Sequence, residues 1–364
     1  MRILHTEAST GMGGQELRIL RESIGMRKRG HEVIFAVQKG GALASKARAE
    51  GFLVKEVSFA KSSLVKTVFN LLALIRTCKI DIINTHSSLD AWMGGVAGKM
   101  AGIFIIRTRH LSTPVRKGFN SKILYNFLAH RTVTTCVETR DIIQGQACLD
   151  SKRVASIPTG VDPKSFLNDP EAVKKFRMSL GVAPEDFLAG TLCILRGWKG
   201  AYDLLHAAKL LEGVSNLKWV VVGGGVSEEY FKGIWRELKL EHTVFFTGQL
   251  DSPFAALAAM DLFLLLSHAN EGVSQSTLQA AMLKKPLITT KIGGLPEVCV
   301  DGITGIQVNT HSPHEVAEAV LKLLKNRELR LKMGEAGKSL VEKEFTFEKM
   351  LDEMELLYSQ TVVE

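Results

Sequence analysis

The chain has 364 residues, too many for one ordinary core and about right for two domains, and 46% of them are hydrophobic. No apolar run reaches the roughly 18 residues of a membrane span, and the N-terminus, MRILHTEASTG, lacks the apolar region of a secretory signal. Five dispersed cysteines (78, 136, 148, 193, 299) form no C-x-x-C pair and read as reduced thiols of a cytoplasmic protein.

Charge is uneven along the chain. Residues 1–167 hold 25 Lys and Arg against 12 Asp and Glu, and the remainder holds 21 against 26. An excess of that size suits an anionic surface. Nucleic acid is the weaker partner, because aromatics rarely alternate with the basic residues.

In chain order, Arg2–Thr6 reads as a strand, followed by the loop Ala8-Ser-Thr-Gly-Met-Gly-Gly14 and an amphipathic stretch, 15–29, that stops at Gly30. Strands are expected at 32–37, 52–59, 80–85, 103–108, 132–137 and 154–157. The intervening helices include one capped by Ser62-Ser63 and a basic-aromatic one from Arg116 to Arg131. The pattern then repeats, with strands at 187–195, 217–222, 244–246, 261–266, 286–290 and 304–308. Helix starts are marked at Ser252-Pro253 and at Ser312-Pro-His-Glu315, a capping box with proline at the first helical position. A final run, 347–360, has apolar residues at 347, 350, 351, 354, 357 and 358, one buried helical face.

Strands separated by helical segments imply parallel, doubly wound sheets. The Pro-, Gly-, Asp- and Asn-rich stretch 158–170 marks the join of two Rossmann-like halves with a cleft between them. The expected division is 1–165 with 347–364 as one domain and 166–346 as the other.

The stretch Ser267–Glu297 is the densest in chemistry. A strand leads to a turn with Glu271, a helix-compatible run, a second strand and the turn Gly293-Gly294-Leu-Pro-Glu297. In open α/β sheets, loops at the carboxyl ends of strands hold the ligand. A dinucleotide fits poorly: Gly11-Met-Gly13 leads to Glu16 and Gly223-Gly224-Gly225 to Glu228, where G-x-G-x-x-G needs a third glycine. A P-loop, a zinc cluster and a Cys–His nucleophile pattern are also missing. Gly11–Gly14 would instead let backbone approach an anion at a helix N-terminus, or simply make a tight turn. Arg196 and Lys199, after a strand, could neutralise a diphosphate or be ordinary surface cations. With no Asp-x-Asp in the chain, side-chain cations and helix termini would do the work of a metal.

Taken together, these residues resemble the retaining glycosyltransferases of family 4, which have the GT-B fold. The resemblance runs along nearly the whole chain. It is carried by Gly13-Gly14 with Glu16, Arg29-Gly-His-Glu-Val33, Arg107-Thr-Arg-His110, Ile157-Pro-Thr-Gly-Val-Asp162, Trp198-Lys199-Gly200 and Val222-Gly223-Gly224. Glu271-Gly272, Ala280-Ala-Met282, Gly293-Gly294-Leu-Pro-Glu297 and Asp301-Gly302 follow in family order.

The resemblance implies a nucleotide-diphosphate sugar as co-substrate, no metal and no other cofactor. Glu271 would contact the donor sugar. Val273, Ser274 and Gln275 would lie near its hydroxyls and phosphate, and Gly13, Gly14, Gly223, Leu278 and Gln279 would complete the donor site. Arg196 and Lys199 would hold the diphosphate, and His110 would approach the transferring sugar. The N-terminal domain would take the acceptor, the C-terminal domain the nucleotide sugar, and the final helix would cross back to the first domain.

Two departures stand out. Where the family places a second Glu, eight residues after the first, for the donor ribose, this chain has Gln279. Arg196 precedes Lys199 by three residues where five is usual.

For the acceptor, Arg116, Lys117 and Lys122 stand among Phe119, Ile123, Leu124, Tyr125 and Phe127, a composition suited to an anionic headgroup layer or to ordinary packing on the domain. The expectation is an acceptor that is a glycan or lipid-linked, in bacterial lipopolysaccharide or cell-surface polysaccharide synthesis, used at the inner face of the plasma membrane. The competing readings are a non-catalytic GT-B scaffold, favoured by Gln279, and a GT-B sugar-nucleotide epimerase.

Overall fold

Short apolar runs bounded by glycine-bearing turns become strands, and the longer amphipathic runs between them become the helices that cover both sheet faces. The computed structural model describes residues 1–110, 118–166 and 169–360. It divides into two units, Met1–Pro158 with Glu348–Glu364, and Thr159–Phe347.

The first unit holds β1 (Arg2–Glu7), β2 (Glu32–Gln38), β3 (Leu53–Val57), β4 (Ile82–Thr85), β5 (Phe104–Arg109), β6 (Arg131–Thr134) and β7 (Val154–Ser156). They form one parallel sheet in the order β3-β2-β1-β4-β5-β6-β7. The direction of winding switches between β1 and β4, where doubly wound sheets open a crevice at their carboxyl ends. Thr6 lies opposite Thr85, and Thr85 opposite Arg107, so β1, β4 and β5 end at one level.

The second unit holds β8 (Phe187–Leu192), β9 (Leu217–Val222), β10 (Val244–Gly248), β11 (Leu262–Leu265), β12 (Leu287–Thr290) and β13 (Gly305–Val308). Their order is β10-β9-β8-β11-β12-β13, again parallel, with its switch between β8 and β11. Two parallel sheets of this kind, flanked by helices, make the GT-B pair of Rossmann-like domains expected from the sequence.

The last helix, Phe347–Ser359, packs on the first unit. It buries Met350, Leu351, Met354, Leu357 and Tyr358, each contributing about 1.5–3 kcal/mol at most. Gly25, inside the helix Gly14–Lys28, makes room for it: a Cβ there would stand 2.4 Å from Leu351 Cδ1. At the rim, Arg29 meets Glu348, Asp352 and Glu355 at 2.7, 2.7 and 2.9 Å, and His31 Nε2 lies 2.9 Å from Glu355 Oε1.

Three local expectations differ from the structure. Ser312 precedes the helix Pro313–Lys325 but caps nothing, because Glu315 bonds Asn309 instead, through its backbone N and Nδ2 at 2.8 Å each. Ser63 also lacks a capping bond, since a 3₁₀ turn, Lys61–Ser63, already leads into the helix Leu64–Thr77. The long basic-aromatic helix shrinks to a turn, Phe119–Lys122, followed by a wide π-type turn, Ile123–Phe127. There Tyr125 is buried, and Arg131 already belongs to β6. Arg116 and Lys117 lie outside the described residues. Among the described residues no helix is long and apolar enough to cross a membrane.

Candidate active site

In the second unit, three turns at the carboxyl ends of β8, β11 and β12 are locked together by glycines. Lys199 follows β8, and Gly200 behind it has φ +75, with a Cβ there falling 2.0 Å from the Leu266 carbonyl oxygen. His268 N donates to Trp198 O at 2.9 Å and draws the same turn onto the end of β11. Gly293 has φ +60, and a Cβ on it would lie 1.9 Å from Glu271 O. At Gly294 the distance would be 2.4 Å to Val273 N. The Gly293-Gly294 turn is thus the backing of the Glu271 turn, and only glycine allows that approach.

What the turns hold in place is an ion pair. Lys199 Nζ donates to Glu271 Oε1, and Ser267 Oγ donates to the same oxygen at 2.5 Å. Glu271 is 4% exposed. A pair this buried has already lost most of its water, so each charge depends on the other. Arg196 stands apart from it, exposed, with its guanidinium 5.3 Å over the Trp198 ring.

Ser274 precedes the helix Gln275–Met282, and its hydroxyl lies 3.1 Å from that of Ser276. Gln275 Oε1 accepts from Thr159 Oγ1 at 3.0 Å. Val273 and Leu278 are buried, Leu278 completely. The Gln279 side chain is half-buried and makes no hydrogen bond among the described residues. Gly223, at the end of β9, approaches the Cys193 carbonyl so closely that a Cβ would lie 2.0 Å from its oxygen.

In the first unit, Gly13 sits at the N-cap of the helix Gly14–Lys28, and its N–H donates to Glu16 Oε2 at 2.7 Å. A Cβ at Gly14 would meet nothing within 4 Å, so packing does not demand that glycine. His110 follows β5 and is 8% exposed, and its carbonyl accepts from Thr135 Oγ1 at 3.0 Å. Lys122 is exposed, beside Phe119 at 76% and Phe127 at 64%.

Sequence reasoning passed over much of what surrounds His110. His86 Nδ1 lies 2.9 Å from His110 Nε2, and His5 Nδ1 lies 2.8 Å from His86 Nε2. Asp90 accepts from Thr6 Oγ1, His86 N and Ser87 N, each at 2.8 Å. Burial, followed by the nearby Glu7, raises its pKa to about 7. Burial also raises Glu7, which accepts from Ser9 N, Gln15 and Ser87. Arg18 is buried beside Glu22 at 3.8 Å with no hydrogen bond from its guanidinium among the described residues, and Arg107 Nη1 donates to Ser87 O at 2.8 Å. The signal was topological: these residues are scattered in sequence but lie in or just after β1, β4 and β5 and in the helices that follow β1 and β4, Gly14–Lys28 and Ser88–Ala101. Among the described residues no group of three or more His, Cys, Asp or Glu side chains is placed to hold a metal ion.

Comparison with known proteins bears on both halves. Residues 12–165 match the model described as Glycosyltransferase Family 4, and residues 173–340 match Glycosyl transferases group 1. The N-acetyl-alpha-D-glucosaminyl L-malate synthase of Bacillus anthracis is 27% identical over 77% of this chain and 74% of its own length. The capsular polysaccharide biosynthesis glycosyltransferase CapM of Staphylococcus aureus is 24% identical, over 81% of this chain and 80% of its own. Among solved structures, Anabaena Alr3699/HepE in complex with UDP-glucose superimposes with a TM-score of 0.87 at 20% identity, over 99% of this chain and 100% of that one.

Proposed function

We propose a specific chemistry for this chain, which belongs to glycosyltransferase family 4 and is a glycosyltransferase: metal-independent transfer of a sugar, with retention, from a nucleotide diphosphate to a glycan or lipid-linked acceptor. The observation that carries the reading is the buried Lys199–Glu271 pair on glycine-braced turns. A carboxylate and an ammonium that neutralise each other are both available to a ligand that offers a diphosphate to one and hydroxyls to the other. When the diphosphate takes Lys199, Glu271 Oε1 exchanges the ammonium for a sugar hydroxyl while Ser267 Oγ keeps donating to it. Lys199 and Arg196 then supply the charge that stabilises the leaving diphosphate. Val273, Ser274, Gln275 and Gly223 line the donor, and His110 attends the transferring sugar. The leaving phosphate oxygen takes the proton of the incoming hydroxyl on the same face, which gives retention.

Gln279 in place of a carboxylate makes the grip on the nucleotide weaker, since neutral hydrogen bonds contribute about 0.5–1.5 kcal/mol against roughly 1.5–3 for charged ones. A donor of the UDP-sugar class is supported by the UDP-glucose complex of HepE, and a cell-surface glycan acceptor by the capsular role named for CapM. The exposed Phe119, Phe127 and Lys122 suit an anionic membrane at the inner face of the cell.

Thermal shift of the whole protein against a panel of UDP-, GDP-, ADP- and dTDP-sugars, with and without EDTA, identifies the donor. Turnover and the anomeric configuration of the product then test the mechanism, with Glu271→Gln expected to lose at least 10²-fold in kcat. Undiminished transfer by that variant, or an inverted product, would sink the assignment. Vesicles of anionic lipid at low salt test the membrane surface, and failure to bind them would remove that element alone.

A further inference from the structure

β1, β4 and β5 are neighbours in the first sheet, and each brings one histidine to the same region: His5 within β1, His86 just after β4 and His110 just after β5. The three rings form an unbroken chain, with His5 Nδ1 2.8 Å from His86 Nε2 and His86 Nδ1 2.9 Å from His110 Nε2. Ring centroids are 5.1 and 5.2 Å apart. Exposure is 0, 3 and 8% from His5 to His110. His5 Nε2, at the closed end, is buried and has no hydrogen-bond partner among the described residues. His110 Nδ1, at the other end, is the one ring nitrogen left for a substrate. Burial lowers the pKa of His5 to about 3, and burial with the neighbouring imidazoles and Arg18 and Arg107 keeps His86 and His110 well below the ordinary value. All three rings are neutral at physiological pH.

Neutrality makes the proton positions mutually dependent. Each neutral imidazole carries one N–H, and each N···N contact needs one hydrogen. If His86 holds its proton on Nδ1, it donates to His110 and must accept from His5. Both outer rings then also carry Nδ1–H. If His86 holds it on Nε2, both outer rings carry Nε2–H. The three share one tautomer or a bond is lost. The closed end chooses between the two. With Nε2–H throughout, His5 would bury a donor that has nothing to donate to, the rarer and costlier defect. With Nδ1–H throughout, only a lone pair is left without a partner.

We infer that His86 and His5 are positioning residues of the transfer reaction, which through this chain hold His110 as the Nδ1–H tautomer and present it as a hydrogen-bond donor to an oxygen of the transferring sugar. The inference rests on the role given to His110 above. His110 then acts by donating to the substrate, never as a general base, and the proton of the acceptor hydroxyl goes to the leaving phosphate.

Long-range ¹⁵N–¹H correlation spectra of the full chain labelled with ¹⁵N-histidine test this without any variant. His5, His86 and His110 should each show a protonated Nδ1 and a pyridine-like Nε2. A protonated Nε2 on His110, or differing tautomers within the trio, would overturn the inference. His86→Phe keeps a ring but removes the donor to His110, and should mix the tautomers of His110 and lower kcat roughly tenfold with KM for the donor nearly unchanged. His86→Asn places an amide N–H where Nδ1 stood, and should restore both the His110 spectrum and most of kcat. Equal loss in the two variants, or no spectral change at His110 in His86→Phe, would refute a positioning role. Full turnover by His110→Ala would instead strike at the functional reading of His110, and the spectra of the unmutated chain separate that failure from failure of the tautomer assignment.

Discussion

Gly293→Ala places one methyl group between two turns that have no space for it. The new Cβ would stand 1.9 Å from the carbonyl oxygen of Glu271, where ordinary contact begins at 3.4 Å, so the turns must part by about 1.5 Å. Alanine at φ +60 adds about 1 kcal/mol of backbone strain. With an overpacking term of about 1–3 kcal/mol, the loss is roughly 2–4 kcal/mol. For a unit of this length, that lowers Tm by roughly 5–15 °C. The effect on rate is larger in proportion, because Glu271 is moved bodily away from Lys199, and a displacement near 1 Å costs on the order of 10²-fold. Gly302→Ala is the control. Its φ is +72 and a Cβ there meets nothing within 4 Å, so it bears the strain without the clash. Differential scanning calorimetry and steady-state turnover on both variants decide the matter. Gly302→Ala should lose about 1 kcal/mol and keep its activity. A Gly293→Ala enzyme with normal Tm and normal kcat would refute the idea that the second turn braces the first.

Tyr358→Phe removes the hydroxyl that donates to buried Glu22 Oε1 at 2.8 Å and accepts from Asn84 Nδ2 at 3.2 Å, and should destabilise the first unit by about 1–3 kcal/mol in urea unfolding. Arg29→Ala breaks contacts to Glu348, Asp352 and Glu355, of which the first two are largely exposed. The loss should be about 1 kcal/mol at low salt and shrink toward zero in 1 M NaCl. For His5 the folded pKa is lowered, so its contribution is fully present above its unfolded value of 6.5 and is lost as pH falls toward about 3. Relative to His5→Phe, the unmutated protein should therefore lose about 1.4 kcal/mol per pH unit below 6.5, and urea midpoints at pH 7 and pH 5 that move in parallel would contradict a buried neutral His5.

The glycine-braced turns around Glu271 were legible because they are local in sequence. Glu271, Ser274, Gln275 and the Gly293-Gly294 turn all lie within one βαβ unit, and short range in the chain means short range in space. Strand positions were legible for the same reason. Apolar runs between glycine-bearing turns locate strands, though their ends shift by a residue or more, as where 187–195 becomes Phe187–Leu192. The misread details are those decided by competition between neighbours. Glu315 had two possible partners and took Asn309. The run 116–131 has helical composition, yet Tyr125 is drawn into the core beneath Arg107 and Arg109, and the helix widens into a π-type turn.

In the first unit the sequence hides what the sheet order reveals. His5, His86 and His110 are 81 and 24 residues apart, and nothing in the spacing of β1, β4 and β5 along the chain says that they are adjacent strands. Adjacency follows from the switch in winding after β3, which returns the chain across β1 to lay β4 on its other edge. Once that order is known, the histidines and the acidic pair Glu7 and Asp90 at the same strand ends become one cluster. A buried polar cluster is costly unless its members satisfy one another. Here the carboxylates accept from backbone amides, hydroxyls and the Gln15 side-chain amide, and the imidazoles satisfy one another, while among the described residues His5 Nε2, the guanidinium of Arg18 and Arg107 Nε have no hydrogen-bond partner. A chain that needed only packing at this position would fill it with aliphatic side chains. On the role proposed for His110, the three imidazoles in a row, at the open end of which it stands, would link the topology of the first unit to the chemistry of transfer.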